Sequence, residues 1–311
     1  MEMILLALGV VVPLFIIMAV GYTARRVGII SDSGVGTVNK LLFWVFLPCI
    51  MFSSIYTTDI SDIDVRVVLF AVVGTVAVSV ASFVFVPFFE KKRERRGVLI
   101  QGIIRGNEVY FGFPVISALI GDKYLGIAAI IVAATSIMYN IFSVIALEYY
   151  KGKVTSKGRI ALNVIKNPLL VSTLIAIAFL FLHVPVPDMI FSAISSMSKV
   201  ATPLALFLLG ASFSFKASRD CIGEVSALVV IKLAVLPAIA IGVSTLLGFR
   251  NFEIVLLFVT FGVPTAVASY SLARELESDY VLAGQIVVFT SVFAILSTFL
   301  WTLAIQMMGL I

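Results

Sequence analysis

Long apolar runs, separated by short polar segments, make up nearly the whole chain. Each run reaches about 20 residues, the length that an α-helix needs to cross the hydrocarbon layer of a bilayer. The pattern predicts an all-α membrane protein with ten transmembrane helices. These predicted spans 1 to 10 cover residues 3–24, 37–57, 66–89, 97–120, 123–149, 160–183, 189–214, 222–248, 251–273 and 280–307.

The composition excludes a soluble domain, because 61% of the 311 residues are hydrophobic and only 13% are charged, against about 25% charged in soluble proteins. Arg25 and Arg26 follow the first apolar run instead of preceding it, so we expect this run to remain as a helix and not to be a cleaved signal peptide. Cys49 and Cys221 suggest neither a metal cluster nor a disulfide framework. With no catalytic triad or phosphate-binding loop, the sequence predicts a non-enzyme without metal or organic cofactor.

The basic residues predict the orientation of the chain in the membrane. One set of alternate connections holds 16 Lys and Arg residues, against three in the other set. Because cytoplasmic loops carry the excess of basic residues, we expect a multi-pass protein of the cell membrane with both termini outside. The basic residues are spread over short loops, which gives no reason to expect a nucleic-acid partner.

Four prolines recur in the same order in the two halves of the chain. The pairs are Pro13 with Pro168, Pro48 with Pro203, Pro87 with Pro237 and Pro114 with Pro264. Since each half has five spans, the halves must cross the membrane in opposite orientations. We predict two inverted five-helix repeats, over residues 1–149 and 160–311, joined by a cytoplasmic linker at 150–159. Such repeats are typical of secondary transporters.

The phrase Phe-Gly-x-Pro appears in span 4 with Gly112 and Pro114, and in span 9 with Gly262 and Pro264. Glycine and proline interrupt helices, and interrupted backbone at membrane depth is tolerated where it lines a cavity. We expect helices 4 and 9 to break at these phrases and to cross near the midplane. The helix N-termini after each break would then face a shared anion site. The alternative is that each phrase only kinks a packed helix.

Polar residues within the spans are the candidate site residues. Arg105, Asn107 and Glu108 precede Pro114 in span 4, and Lys232 lies inside span 8. Ionisable groups at this depth are functional candidates by default. Arg105 and Glu108 either take part in coupling or only neutralise each other at i, i+3 spacing. Lys232 can pair with Glu108, bind the substrate anion or extend towards the membrane surface.

Span 9 contributes hydroxyl groups at the predicted crossing, of which Thr265 is the candidate for substrate binding. The substrate set predicted from the sequence comprises Asn107, Gly112, Pro114, Lys232, Gly262, Pro264 and Thr265.

Several stretches together resemble the auxin efflux carrier family. They are VVPLFIIMAVGYTARRVGIISDSGVGTVNKLLFWVFLPCIMF, RGNEVYFGFPVISALIGD, NPLLVSTLIAIAF, ATPLALFLLGASF and FGVPTAVASYSLARE. The resemblance spans essentially the whole chain. It implies a fold similar to sodium–proton antiporters, with a scaffold of helices 1, 2, 6 and 7, a transport core of helices 3–5 and 8–10, a homodimer and an elevator motion. The short linker indicates a compact prokaryotic member.

The resemblance also implies residue roles. Asn107, Pro114 and Pro264 match the crossing motif of the family, and Lys232 matches a basic position in helix 8. Glu108 stands where many members have a small or hydroxyl residue. It is therefore either a coupling group of this branch or a sign that the substrate is not a simple anion.

These observations predict a secondary transporter that moves a small organic anion, such as auxin or a dicarboxylate, through the bilayer by alternating access. Proton coupling through Glu108 is expected over sodium coupling. The first alternative is a sodium-coupled symporter resembling the bile-acid transporters, with Glu108, Asn140 and Gln285 as the few ion-ligand candidates. The second alternative is a membrane receptor or scaffold that does not transport.

Overall fold

A computed structural model describes residues 2–57, 65–151, 162, 166–213 and 221–311. Within these ranges the regular structure is helical, apart from one antiparallel bridge between Gly106 and Thr265. The helices are α1 (Glu2–Arg26), α2 (Asp32–Tyr56), α3 (Val65–Phe89), α4a (Arg93–Ile104), α4b (Glu108–Ile120), α5 (Leu125–Tyr150), α6 (Pro168–Phe181), α7 (Asp188–Ser212), α8 (Ile222–Leu246), α9a (Phe252–Gly262), α9b (Ala268–Glu275) and α10 (Tyr280–Met307).

Six of the described helices are long and apolar enough to cross a membrane: α2, α3, α5, α7, α8 and α10. Helices α4b, α6 and α9a are shorter and also apolar. The prediction of an all-helical protein that crosses the membrane several times is thus confirmed. Predicted spans 4 and 9 each divide into two helices, as expected for interrupted spans. Most of the predicted linker at 150–159 lies outside the described residues.

Three prolines are accommodated inside helices by wide, π-helical turns. The turns at Leu42–Phe46, Glu108–Gly112 and Ile231–Val235 precede Pro48, Pro114 and Pro237. Proline has no N–H group and collides with the carbonyl one turn earlier, and a wider turn relieves that collision. Each of these helices therefore continues through its proline.

The predicted break at Pro114 is wrong for this reason. The helix interruption in the first half falls at residues 105–107, before α4b, and the phrase with Pro114 lies inside α4b. In the second half the interruption does fall at the phrase, because α9a ends at Gly262 and α9b begins at Ala268.

By their most extensive contacts the helices form two groups, which also meet each other where α1 packs on α10. In the four-helix group, α1 lies against α7, and α2 lies against α6 and α7. A β-carbon on Gly21 would collide with the carbonyl of Phe207, and one on Gly210 would collide with the carbonyl of Met18. Glycine at these two positions lets the α1 and α7 backbones come into direct contact, a common means of helix packing in membranes.

The six-helix group contains α3, α4, α5, α8, α9 and α10. Helices α3 and α4a pack on α5, and α8 packs on α9a and α10. At the end with the basic loops, Arg95 of α4a forms ion pairs with Glu224 of α8 and, at 3.2 Å, with Asp279 before α10. These pairs join three helices of this group at one point.

Candidate functional site

The two interruptions meet and pair with each other. The N–H of Asn107 donates to the carbonyl of Pro264 at 2.8 Å, and the N–H of Ala266 donates to the carbonyl of Arg105 at 3.3 Å. Thr265 adds a side-chain bond from its hydroxyl to the carbonyl of Gly102 at 2.8 Å. Backbone that leaves a helix at membrane depth needs such partners, because lipid offers none. The pairing therefore stabilises both breaks at once.

Two helices begin at this crossing, α4b at Glu108 and α9b at Ala268. The N-terminus of a helix carries partial positive charge and N–H groups without intrahelical partners. The N–H groups of Val267 and Ala268 have no hydrogen-bond acceptor among the described residues. Both residues line a cavity at the crossing.

A cavity of about 330 Å³ extends from the crossing towards Thr57, the end of α2 remote from the basic loops. The four-helix group lines it with residues 47–57 and Thr202, and the six-helix group lines it with α4b, α5 and residues 266–268. The polar side chains in its wall include Arg105, Asn107, Glu108, Tyr139 and Asn140. The cavity thus lies between the two groups of helices.

A larger cleft of about 600 Å³ runs between α3 and α8. Its wall is almost entirely apolar, and its polar side chain, Ser82, already donates to the carbonyl of Val78. A small-molecule site needs a few polar groups that fix the ligand. We therefore assign the candidate site to the smaller cavity.

Arg105 is buried and makes one side-chain hydrogen bond, from Nη1 to Oδ1 of Asn140 at 3.1 Å. The Asn140 amide in turn donates to the hydroxyl of Thr173 on α6 at 3.3 Å and to the sulfur of Met51 on α2 at 3.5 Å. The Nε of Arg105 is buried without a partner. Arg105 is thus linked through Asn140 to two helices of the four-helix group, α2 and α6.

Glu108 is buried and accepts a hydrogen bond from the hydroxyl of Tyr139 at 2.5 Å. It forms no ion pair with Arg105 among the described contacts, contrary to the i, i+3 alternative, because the interruption at 105–107 removes the helical geometry that the spacing requires. Beside Glu108, the Nδ2 of Asn107 is buried without a partner. The cavity wall therefore combines an acid with unsatisfied donors.

Lys232 is absent from the cavity wall, and the described contacts contain no ion pair between Lys232 and Glu108. Its buried ammonium donates to the carbonyl of Ile103, in the last turn of α4a, at 3.0 Å. The C-terminus of a helix carries partial negative charge and unpaired carbonyls. Lys232 therefore stabilises the end of α4a at the crossing.

The opposite end of the crossing, towards the basic loops, is closed by α9b. Trp44 of α2 donates to Glu275 at 3.1 Å, and Asn39 of α2 donates to the carbonyl of Ser271 at 3.3 Å. Arg274 adds bonds to the hydroxyls of Ser212 on α7 at 3.0 Å and of Tyr270 at 2.8 Å. Polar contacts between the two groups thus close the end that the cavity does not reach.

Comparison with known sequences identifies the family. A family model described as membrane transport protein matches residues 6–302. The chain belongs to this family. The resemblance to the auxin efflux carriers is confirmed, and family membership indicates a membrane transporter and not an enzyme.

Three relatives of this transport protein illustrate the range of the family. An uncharacterized transporter of Methanocaldococcus jannaschii is 25% identical over 311 residues, covering 96% of this chain and 98% of its own. A Rhizobium meliloti protein, named as a candidate malonate transporter, is 21% identical over 237 residues, which cover 74% of each chain. The mouse lysosomal cholesterol signaling protein is 22% identical over 302 residues, covering 88% of this chain and 35% of its own.

Several predicted site residues of this transport protein lie at the crossing but outside the cavity wall. A β-carbon on Gly112 would lie 2.5 Å from Val259 of α9a, and one on Gly262 would lie 2.8 Å from Phe258, so both glycines permit close packing. Pro114, Pro264, Thr265 and Gln285 are likewise absent from the wall. Of the predicted substrate set, Asn107 is the residue that reaches the cavity.

Sequence reasoning missed Tyr139, which holds Glu108. Its signal was present, because Tyr139 and Asn140 form a polar pair in the middle of span 5. The described residues contain no group of three or more His, Cys, Asp or Glu side chains arranged for a metal ion.

Proposed function

We propose that this membrane transporter is a secondary carrier of a small organic anion, such as auxin or a dicarboxylate, working by alternating access. The observation that carries the proposal is the cavity wall, which brings Arg105, Asn107 and the N-terminus of α9b together. Among the described residues, Arg105 Nε and Asn107 Nδ2 are buried without partners, and the N–H groups of Val267 and Ala268 at the start of α9b have no acceptor. Burying donors without acceptors costs free energy, which a carboxylate would recover.

The size of the cavity supports a small ligand. A volume of about 330 Å³ lies at the lower end of the range for small-molecule sites. The Rhizobium meliloti relative, named for malonate, supports a carboxylate of few carbons. The resemblance to auxin efflux carriers supports an indole acid as the larger candidate.

Alternating access is supported by the asymmetry between the two ends of the crossing. The cavity extends to the end near Thr57, whereas polar contacts of α9b close the other end. We propose that the halves are inverted repeats, that the six-helix group moves against the four-helix group as an elevator, and that the protein is a homodimer. With both termini outside, the cavity would open to the exterior.

We propose proton coupling through Glu108, with Arg105 as its nearby partner in the cycle. A buried carboxyl group exchanges its proton when the charges around it change. Sodium coupling is disfavoured, because the Asn140 oxygen that would bind the ion lies 3.1 Å from the positively charged guanidinium of Arg105, and Gln285 lies outside the cavity wall.

Uptake into proteoliposomes tests the proposal. Radiolabelled malonate and indole-3-acetate should accumulate in a protein-dependent manner, faster with an inward proton gradient and unchanged when sodium replaces potassium. Absence of flux for every carboxylate that stabilises the protein would overturn it. That outcome would favour the second candidate, a receptor that binds without transport, for which the similarity to the mouse signaling protein is the specific support.

A further inference from the structure

The polar wall of the cavity is divided into a donor side and an acceptor side. On the donor side, Arg105 Nε, Asn107 Nδ2 and the N–H groups of Val267 and Ala268 have no acceptor. All four residues line the cavity, so we assign the carboxylate of the ligand to this side. On the acceptor side stands one carboxyl group, that of Glu108. A ligand that fills the cavity meets both sides.

Glu108 has capacity for further hydrogen bonds. A carboxylate offers about four lone-pair positions on its two oxygens, and Tyr139 is the group among the described residues that donates to it. The two nearby cations make their hydrogen bonds elsewhere, Arg105 to Asn140 and Lys232 to the carbonyl of Ile103. The cavity is thus the direction from which Glu108 can gain another donor.

We propose that the transported molecule carries, besides its carboxylate, a second group that donates a hydrogen bond, and that Glu108 accepts that bond. A hydroxyl and an ammonium group share this chemistry. Glu108 is then the specificity-determining residue of the site. The proposal rests on the proposed anion transport and adds the nature of the second group.

The physical reason, in the ionised state of Glu108, is the cost of placing a second negative charge beside it. Like charges repel more strongly inside a protein than in water, because the effective dielectric constant is lower. A donor in the same place instead forms a charge-assisted hydrogen bond. Indole-3-acetate meets the requirement through its ring N–H, whereas a dicarboxylate meets it only while one carboxyl group keeps its proton.

Four acids with the same three-carbon chain provide a matched test: propionate, 3-hydroxypropionate, β-alanine and malonate. Affinities are measured by ligand-induced rise in melting temperature and by competition for flux, at about pH 8, where both malonate carboxyls are ionised. In the wild type, the hydroxyl and ammonium acids should bind about 10- to 100-fold more tightly than propionate. Malonate should bind more weakly than propionate.

Substitution of Glu108 measures what its carboxyl group contributes to the relative affinities of the four acids. In Glu108→Gln, β-alanine should lose the part of its advantage that depends on charge, and malonate should lose its disadvantage. 3-Hydroxypropionate should keep most of its advantage, because an amide oxygen still accepts its hydrogen bond. Tyr139→Phe keeps the carboxylate and removes its donor, so the preference for donor-bearing acids should increase. Glu253→Gln, a buried acid outside the cavity wall, is the control and should leave the order unchanged.

Each result has a defined meaning. Malonate binding at least as tightly as 3-hydroxypropionate to the wild type, or an order unchanged by Glu108→Gln, overturns the proposal. If Glu108→Gln does not fold, the proposal is equally overturned when Tyr139→Phe binds all four acids with the same affinity. Carboxylates that bind in order of their negative charge would remove this inference and leave anion transport intact, whereas failure of all carboxylates to bind would remove the proposed function itself.

Discussion

The indole N–H of Trp44, on α2, donates a hydrogen bond to Oε1 of Glu275, at the end of α9b, at 3.1 Å. This bond joins the four-helix group to the six-helix group at the end that faces the basic loops. Asn39 makes a second such bond to the carbonyl of Ser271. If the two groups move against each other during transport, both bonds must break.

Trp44→Phe should therefore increase access to the cavity from the side of the basic loops. An aromatic ring is kept and one hydrogen bond is lost, so a shift of about two- to tenfold in the open population is expected. A cysteine placed at Ala133, in a background with Cys49→Ala and Cys221→Ala, reports access when impermeant thiol reagents are applied to vesicles of either orientation.

The matched control for this experiment is Trp301→Phe. The Trp301 indole donates to the carbonyl of Leu233 at 2.9 Å, within the six-helix group. Its loss should not change the side from which the cysteine is labelled. Equal effects of the two substitutions would contradict a gating role for Trp44.

The two crossing prolines should differ in their effect on transport. Pro264 lies within the interruption and its carbonyl accepts from Asn107, whereas Pro114 lies inside α4b after a wide turn. Replacing proline with alanine raises local helix preference by about 3 kcal/mol. Pro264→Ala should extend α9a into the break and strongly reduce flux with little loss of folded protein, while Pro114→Ala should have a smaller effect. Flux is measured per amount of folded protein, which is determined by size-exclusion chromatography. Flux at the wild-type level in Pro264→Ala would show that transport does not require this break.

Glu108→Gln should flatten the pH dependence of transport. An amide cannot take up or release a proton, so flux that varies with pH in the wild type should become nearly constant. The groups facing Glu108 are Tyr139, Arg105 and Lys232, so Tyr139→Phe serves as a second variant that should keep a pH dependence. The competing account, in which Glu108 only neutralises Arg105, requires that Arg105→Gln restores stability lost in Glu108→Gln. An unchanged pH profile in Glu108→Gln would remove its role in proton coupling.

Lys232→Met should destabilise the protein more than it impairs binding. The substitution leaves the Ile103 carbonyl without its donor at the end of α4a, which is expected to cost about 1–3 kcal/mol. Lys232→Arg should retain part of the stability. Thermal unfolding in detergent measures the change, with the exposed Lys40→Met as control. A large loss of ligand affinity at unchanged melting temperature would instead place Lys232 in the binding site.

The sequence by itself determined the fold class and the approximate bounds of most helices. Hydrophobic runs of membrane length predicted most helix ends to within a few residues, for example 66–89 against the observed Val65–Phe89 and 280–307 against Tyr280–Met307. This succeeded because lipid requires every backbone polar group to be satisfied within a helix, which makes apolar length a direct measure of a span. The placement of Arg105, Asn107 and Glu108 inside span 4 was also read from the sequence, and the structure buries all three side chains.

Only the tertiary structure decided how these residues are paired. Whether Pro114 breaks a helix depends on whether a wide turn can form before it, and that turn is stabilised by packing against α9a. Likewise, Arg105 bonds to Asn140 and Glu108 to Tyr139, residues more than 30 positions away in sequence. The periodicity of a sequence relates residues one or two turns apart in the same helix. The partner of a buried charge instead depends on which helix packs beside it. The division of the cavity into donors and a single acceptor therefore arises from the contact of α4, α5 and α9, which no pattern in one span contains.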